Sequence, residues 1–163
     1  MDDTQRYLQR CVELASLALE TGNQPFGSVL VGADGTVLAE DHNRDGGGDP
    51  TAHPEIALAR WAALNLDAEQ RAGATVYTSG EHCAMCSAAH AWAGLGPIVF
   101  ASSAQQTAAW YAEAGLGASP VRPLAINEVA PDVPVTGPVA EFAAQVHALH
   151  LRRFAAMAAR GEL

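Results

Sequence analysis

Basic residues are scarce in this chain: nine Lys plus Arg stand against eighteen Asp plus Glu, a formal net charge of −9 over 163 residues. A protein that follows a phosphate backbone usually carries a basic face and releases counterions on binding, so nucleic acid is not an expected partner. The one local cluster, Arg152, Arg153 and Arg160, falls on a predicted terminal helix and reads as a solvated face. No apolar run is long enough to span a bilayer, which removes a membrane from the expected partners. The start, Met1-Asp2-Asp3-Thr4, lacks the basic and apolar regions of a signal peptide. Cysteine is sparse too. Three cysteines, two of them at metal-ligand spacing, do not form a disulfide framework, and a reducing cytoplasm is the expected compartment. Cys11, within the apolar stripe Leu8, Cys11, Leu14, Ala15 and Ala18, is expected as a small core residue. With 49% apolar and 17% charged residues the chain is expected to fold, as one domain over 1–163.

Apolar positions at helical spacing predict a first helix over 4–20, with Asp2, Asp3 or Thr4 as its cap. Two β-prone runs, 28–31 and 36–39, flank Ala33-Asp34-Gly35 and predict a hairpin. A glycine-rich loop over 44–51 precedes a helix over 53–66. A strand at 75–78 and a helix over 83–95 follow, then a strand at 98–101, a helix over 104–114 and a strand over 124–129. The proline-bearing stretch 131–138 reads as a linker turn, and a last helix over 139–159 is long enough to pack across the sheet or onto a second subunit. This alternation predicts an α/β fold with a central sheet flanked by helices.

The chemistry is concentrated in two short motifs, His53-Pro54-Glu55 and Cys83-Ala84-Met85-Cys86. One imidazole and two thiolates fill three positions around a tetrahedral Zn²⁺ and leave the fourth for water, the arrangement of catalytic rather than structural sites. Both motifs fall at predicted helix starts, where unpaired N–H groups and the positive dipole end favour thiolates. Pro54 suits the first helical turn, which has no use for its missing N–H. Glu55 is placed to move the protons of a metal-activated water that attacks a ring carbon bearing an amine and expels ammonia. Cys-x-x-Cys alone also occurs in structural zinc sites, where His82 or Glu55 would supply a fourth ligand.

At these residues the chain resembles the cytidine deaminase superfamily, whose signature is His-x-Glu followed by Pro-Cys-x-x-Cys. Gln24-Pro25-Phe26-Gly27, Asp41-His42-Asn43, Thr51-Ala52-His53, Glu81-His82-Cys83-Ala84-Met85-Cys86 and Trp92 are similar to the branch of guanine, cytosine and tRNA adenosine deaminases, over about residues 5–115. The resemblance implies a three-layer α/β/α fold with a mixed sheet of about five strands, and a homodimer. It implies zinc on His53, Cys83 and Cys86, with Glu55 as the acid/base. It also implies a substrate pocket drawing on Asn43, Phe26, Glu81 and Trp92, with Glu113 as the candidate acidic reader of a purine edge. Alanine is usual where Pro54 stands and proline where His82 stands, so these two bear on which ring is accepted. The expected substrate is a free nucleobase or similar small amino heterocycle, of guanine type or a cytosine or aminotriazine analogue. Deamination of a tRNA adenosine or a nucleoside is the alternative, and a non-catalytic zinc-stabilised binding protein is the alternative of another class.

Overall fold

Asp2 caps the first helix, α1 (Asp3–Glu20): its carboxylate accepts the Gln5 N–H while the Gln5 side chain accepts the Asp2 N–H. The computed structural model describes residues 1–163. After α1 the chain forms the hairpin β1 (Gly27–Val31) and β2 (Val37–His42), in which Asp34 turns back to accept the Thr36 N–H at 2.9 Å. Helix α2 (Pro54–Asn65) leads to a short α3 (Ala68–Ala72) and then to β3 (Thr75–Gly80). Next come α4 (Ala84–Ala93), β4 (Ile98–Ser102), α5 (Ala104–Glu113), α6 (Ile126–Val129), β5 (Val135–Thr136) and α7 (Ala140–Ala159). No helix is long and apolar enough to cross a membrane.

The five strands form one mixed sheet in the order β2-β1-β3-β4-β5. The pairs β1/β2 and β1/β3 are antiparallel, while β3/β4 and β4/β5 are parallel. Every residue of β1 is buried, as expected of a strand covered on both faces. Alternation assigns the faces. Leu30 and Val76 join Leu58, Ala59 and Ala62 beneath α2, whereas Val29 and Val31 join Tyr7, Cys11 and Leu14 beneath α1. Leu8, Val12 and Ala15 of α1 meet Phe142, Val146 and Leu149 of α7 on that second face. At Gly27 the first helix approaches the sheet closely: a Cβ there would lie 2.5 Å from both the Cys11 carbonyl oxygen and the Leu14 Cβ. The result is the expected three-layer α/β/α architecture with five strands.

Two expectations are corrected. The strand expected over 124–129 is instead the short helix α6, because side chains take its first backbone donors: Glu128 accepts the Ala125 N–H and Glu81 accepts the Ile126 N–H. The fifth strand lies in the stretch expected to be a linker turn. Flanking prolines hold that segment extended, and as an edge strand of two residues β5 tolerates them. The terminal helix, for which the sheet and a second subunit were both open, packs on its own chain and buries its apolar stripe against α1 and β4.

Candidate active site

The sheet delivers the two motifs to the same place. His53 and Cys83 are the cap residues of α2 and α4, both extended in backbone, and neither side chain caps its helix. Each is therefore free to turn toward the other. His53 Nδ1 lies 3.6 Å from Cys83 Sγ and 3.6 Å from Cys86 Sγ, and the three donor atoms all fall within 4.8 Å of one another. Zinc bonds of about 2.3 Å to sulfur and about 2.0–2.1 Å to nitrogen, at a tetrahedral angle, require N···S separations of about 3.6 Å. The donor set fits a zinc ion in type and in spacing.

Electrostatics point the same way. The Cys83 thiol is held well below the ordinary cysteine range, chiefly by a hydrogen bond from Cys86 and further by one from His53. Cys86 is pushed up, first by Cys83 beside it and then by burial. His53 is raised by its bond to Cys83. Two sulfurs and an imidazole thus share protons that a cation would displace, since a coordinating thiol is deprotonated outright.

Glu55, in the first turn of α2, is only 6% exposed. Burial pushes its carboxyl up, against the pull of His53. Its Oε1 lies 3.2 Å from Ser28 Oγ and 3.1 Å from Thr78 Oγ1, hydroxyls that face each other across β1 and β3 at 2.8 Å. Thr78 Oγ1 also lies 2.9 Å from the Gly80 carbonyl. Each hydroxyl has one proton and two lone pairs, so the pair can donate to an ionised Glu55 or accept from a protonated one. That suits a group whose task is to take up a proton and pass it on.

Of the other expected site residues, Asn43 lies beside this cluster. Its N–H bonds the Phe26 carbonyl at 2.9 Å, and the next residue's N–H bonds the carbonyl of Ala52, immediately before His53, at 3.0 Å. Phe26 is half-buried, its ring wedged between Gly80 and the edge of His150. Pro54 is buried at the first position of α2. Four expected pocket residues are not brought to the metal donors. Both carboxylate oxygens of Glu81 are engaged elsewhere, accepting the Ala104 N–H at 3.0 Å and the Ile126 N–H at 2.9 Å, so it ties α5 and α6 to β3. His82 is fully buried with its ring 5.4 Å from that of His90, packed edge-on. Trp92 is 91% exposed, and Glu113 ends α5 in solvent. Trp92 falls on the side of α4 opposite its buried residues Cys86, Ser87 and His90, and α5, which ends at Glu113, buries none of its residues fully.

Sequence reasoning missed Ser28 and Thr78; Ser28 was signalled as the one polar residue of the buried strand β1, whereas Thr78 stands beside other hydroxyl residues in β3 and carried no such signal. It also missed Asp45, Gln24 and Tyr111, which are joined to Asn43 by hydrogen bonds. Nothing in the sequence signals that network, because it draws on three separate segments.

Residues 1–102, which contain all three metal donors and Glu55, match the family model described as the cytidine and deoxycytidylate deaminase zinc-binding region. The chain belongs to that family. It is 39% identical over 98 residues to a guanine deaminase of Bacillus subtilis, covering 59% of this chain and 62% of that protein. It is 35% identical over 98 residues to a probable cytosine deaminase of Schizosaccharomyces pombe, covering 60% and 59%. It is 38% identical over 96 residues to a tRNA-specific adenosine deaminase of Agrobacterium fabrum, covering 58% and 62%. The match thus spans about three fifths of the length of these relatives. Among solved structures, a guanine deaminase from Nitrosomonas europaea superimposes with a TM-score of 0.68 over 92% of this chain and 83% of that one; at 23% identity the likeness is one of fold. The relatives' names cover three different amines, so membership does not fix the substrate.

Proposed function

We propose that this protein is a zinc-dependent hydrolytic deaminase of a free nucleobase or similar small amino heterocycle. The observation that carries the reading is Glu55: a buried carboxylate, held by two hydroxyls that serve either protonation state, on the same helix turn as a metal donor. A structural site would use the carboxylate as a fourth ligand, whereas Glu55 lies outside the donor group and is bonded to Ser28 and Thr78. Bound zinc would act as a Lewis acid that makes a water acidic near neutral pH. Glu55 accepts a proton from the attacking water and delivers it to a ring nitrogen, then takes that water's second proton from the new hydroxyl and passes it to the leaving amine as the carbon–nitrogen bond breaks. Phe26 flanks the ring and Asn43 reads its edge.

A free base is favoured over a tRNA adenosine by the net charge of −9, which opposes a phosphate backbone. The thiol ligands require a reducing compartment, and the cytoplasm meets that need. A homodimer is part of the proposal, with an apolar patch at the far ends of α2 and α4 as its contact. The deciding experiment measures ammonia release by zinc-loaded protein from guanine, cytosine, adenine, their nucleosides and aminotriazines. Turnover of a free base is expected. Activity on tRNA alone would replace this reading with the tRNA one, and silence on every substrate despite stoichiometric zinc would favour a binding protein.

A further inference from the structure

Asp45 is the hub of a hydrogen-bond chain joining three segments. Asn43 Nδ2 donates to Asp45 Oδ1 at 2.7 Å, and the Gln24 backbone N–H donates to the same oxygen at 3.0 Å. Gln24 Nε2 donates to Oδ2 at 2.8 Å, and Tyr111 Oη donates to Gln24 Oε1 at 2.8 Å. A carboxylate offers only acceptors, so the nitrogen of each amide must face it. The orientation of both amides is thereby fixed by chemistry. For Gln24 the remaining oxygen is satisfied by Tyr111. For Asn43 it is not: Oδ1 is buried without a partner in a residue 1% exposed.

A buried acceptor left unpaired is unfavourable, and its neighbourhood identifies what would pair with it. Asn43 sits between the Phe26 carbonyl and the segment leading into His53, at the margin of the site described above. We infer that Asp45, braced by Gln24 and Tyr111, is a positioning residue that sets the polarity of Asn43, so that the site offers a hydrogen-bond acceptor and selects heterocycles presenting an N–H at that edge. The inference rests on the proposed deamination of a free heterocycle and narrows its substrate class. A ring nitrogen bearing hydrogen satisfies Asn43 Oδ1. The same nitrogen carrying a sugar, or replaced by carbon, leaves it unpaired. Without Asp45 the Asn43 amide could rotate by half a turn and present either polarity.

The test compares zinc-loaded wild type with Asp45→Asn on matched pairs differing by N–H against C–H: guanine with 7- and 9-deazaguanine, and cytosine with 6-amino-2-pyridone. In the wild type, KM for one C–H analogue of the base turned over should exceed that of the base by about tenfold or more, with kcat changed far less. In Asp45→Asn this separation should shrink to within about threefold, at unchanged zinc content and melting temperature, and Tyr111→Phe should move it in the same direction. No N–H preference in the wild type would overturn the inference. So would an Asp45→Asn variant that keeps the full preference, or one that loses kcat equally on every substrate, the signature of a merely structural role. If no free base is turned over, the functional reading fails instead. The polarity of Asn43 is then judged by its Nδ2 protons in nuclear magnetic resonance: exchange-protected in wild type and unprotected in Asp45→Asn if Asp45 sets it, equally exchanging in both if it does not.

Discussion

Glu55 Oε1 lies 3.1 Å from Thr78 Oγ1, on a hydroxyl that can give its proton either to the carboxylate or to the Gly80 carbonyl. This bond favours the ionised carboxylate, while burial favours the neutral acid. Removing the hydroxyl with Thr78→Val should therefore raise the Glu55 pKa further and move the acid limb of the kcat/KM profile to higher pH. A hydrogen bond to a charged group contributes about 1.5–3 kcal/mol, so the limb should move up by about one to two pH units. Thr78→Ser should restore the limb. An unmoved limb in Thr78→Val would show that the hydroxyl does not act on Glu55.

Glu55→Gln keeps shape and hydrogen-bonding capacity but cannot carry a proton between water and ring. A positioned acid/base contributes roughly 10²- to 10⁴-fold, so kcat/KM should drop by that factor. Zinc content should be unchanged, because Glu55 is not among the metal donors. Full turnover with zinc retained would remove Glu55 from the chemistry, and loss of zinc would assign it to the metal instead.

Chelation makes the three cysteines distinguishable. Without metal, Cys83 is half-buried and its thiol is held well below the ordinary range by Cys86 and His53, Cys86 is buried and pushed up by Cys83, and Cys11 is fully buried and pushed up by that burial. Nucleophilicity follows thiolate character and access. Iodoacetamide should alkylate the stripped protein first at Cys83, and stoichiometric zinc should protect it. Mass spectrometry of the tryptic peptides reads the order, and first labelling at Cys11 would contradict this account of the core.

The apolar patch proposed as the dimer contact also makes a separable prediction. Helices α2 and α4 start side by side at the metal donors and pack against each other, so their far ends emerge together. There Leu64 is 84% and Trp92 is 91% exposed, two large apolar side chains that a second subunit would cover. Trp92→Glu removes no buried contact within the chain, so the fold and the zinc should survive while a dimer dissociates. Sedimentation should show the mass halved. An unchanged oligomer would place the interface elsewhere.

The metal donors and Glu55 were legible in the sequence because each motif is local: two to four residues at a helix start determine where those side chains go. The central sheet flanked by helices was legible from the alternation of strand and helix segments along the chain, and the three layers from the family resemblance. What the sequence concealed depends on contacts between distant segments. Glu81 was expected in the pocket, but its carboxylate is taken by backbone donors 23 and 45 residues away. The same bond converts 124–129 from a strand into α6. Tyr111, rather than Glu113, is the α5 residue tied to the site, and only the 87-residue separation closed by its bond to Gln24 reveals it.

His150 gives a last prediction, on stability rather than activity. It is fully buried on α7 among the rings of Phe26, Trp110, Tyr111 and Phe154, and neither ring nitrogen has a partner. Burial, helped by Arg153, lowers its pKa from the ordinary 6.5 to about 3. The unfolded chain therefore binds a proton that the folded chain refuses between those two values, and stability must fall as the pH drops below about 6.5. His82 and His90 are lowered for the same reason and add to the slope. Each such histidine contributes up to about 1.4 kcal/mol per pH unit. His150→Leu, similar in volume and without a group to protonate, should be more stable than wild type at pH 5 and show a shallower loss between pH 7 and pH 5. Urea unfolding at the two pH values measures both, and an unchanged slope in the variant would mean that His150 is protonated in the native state.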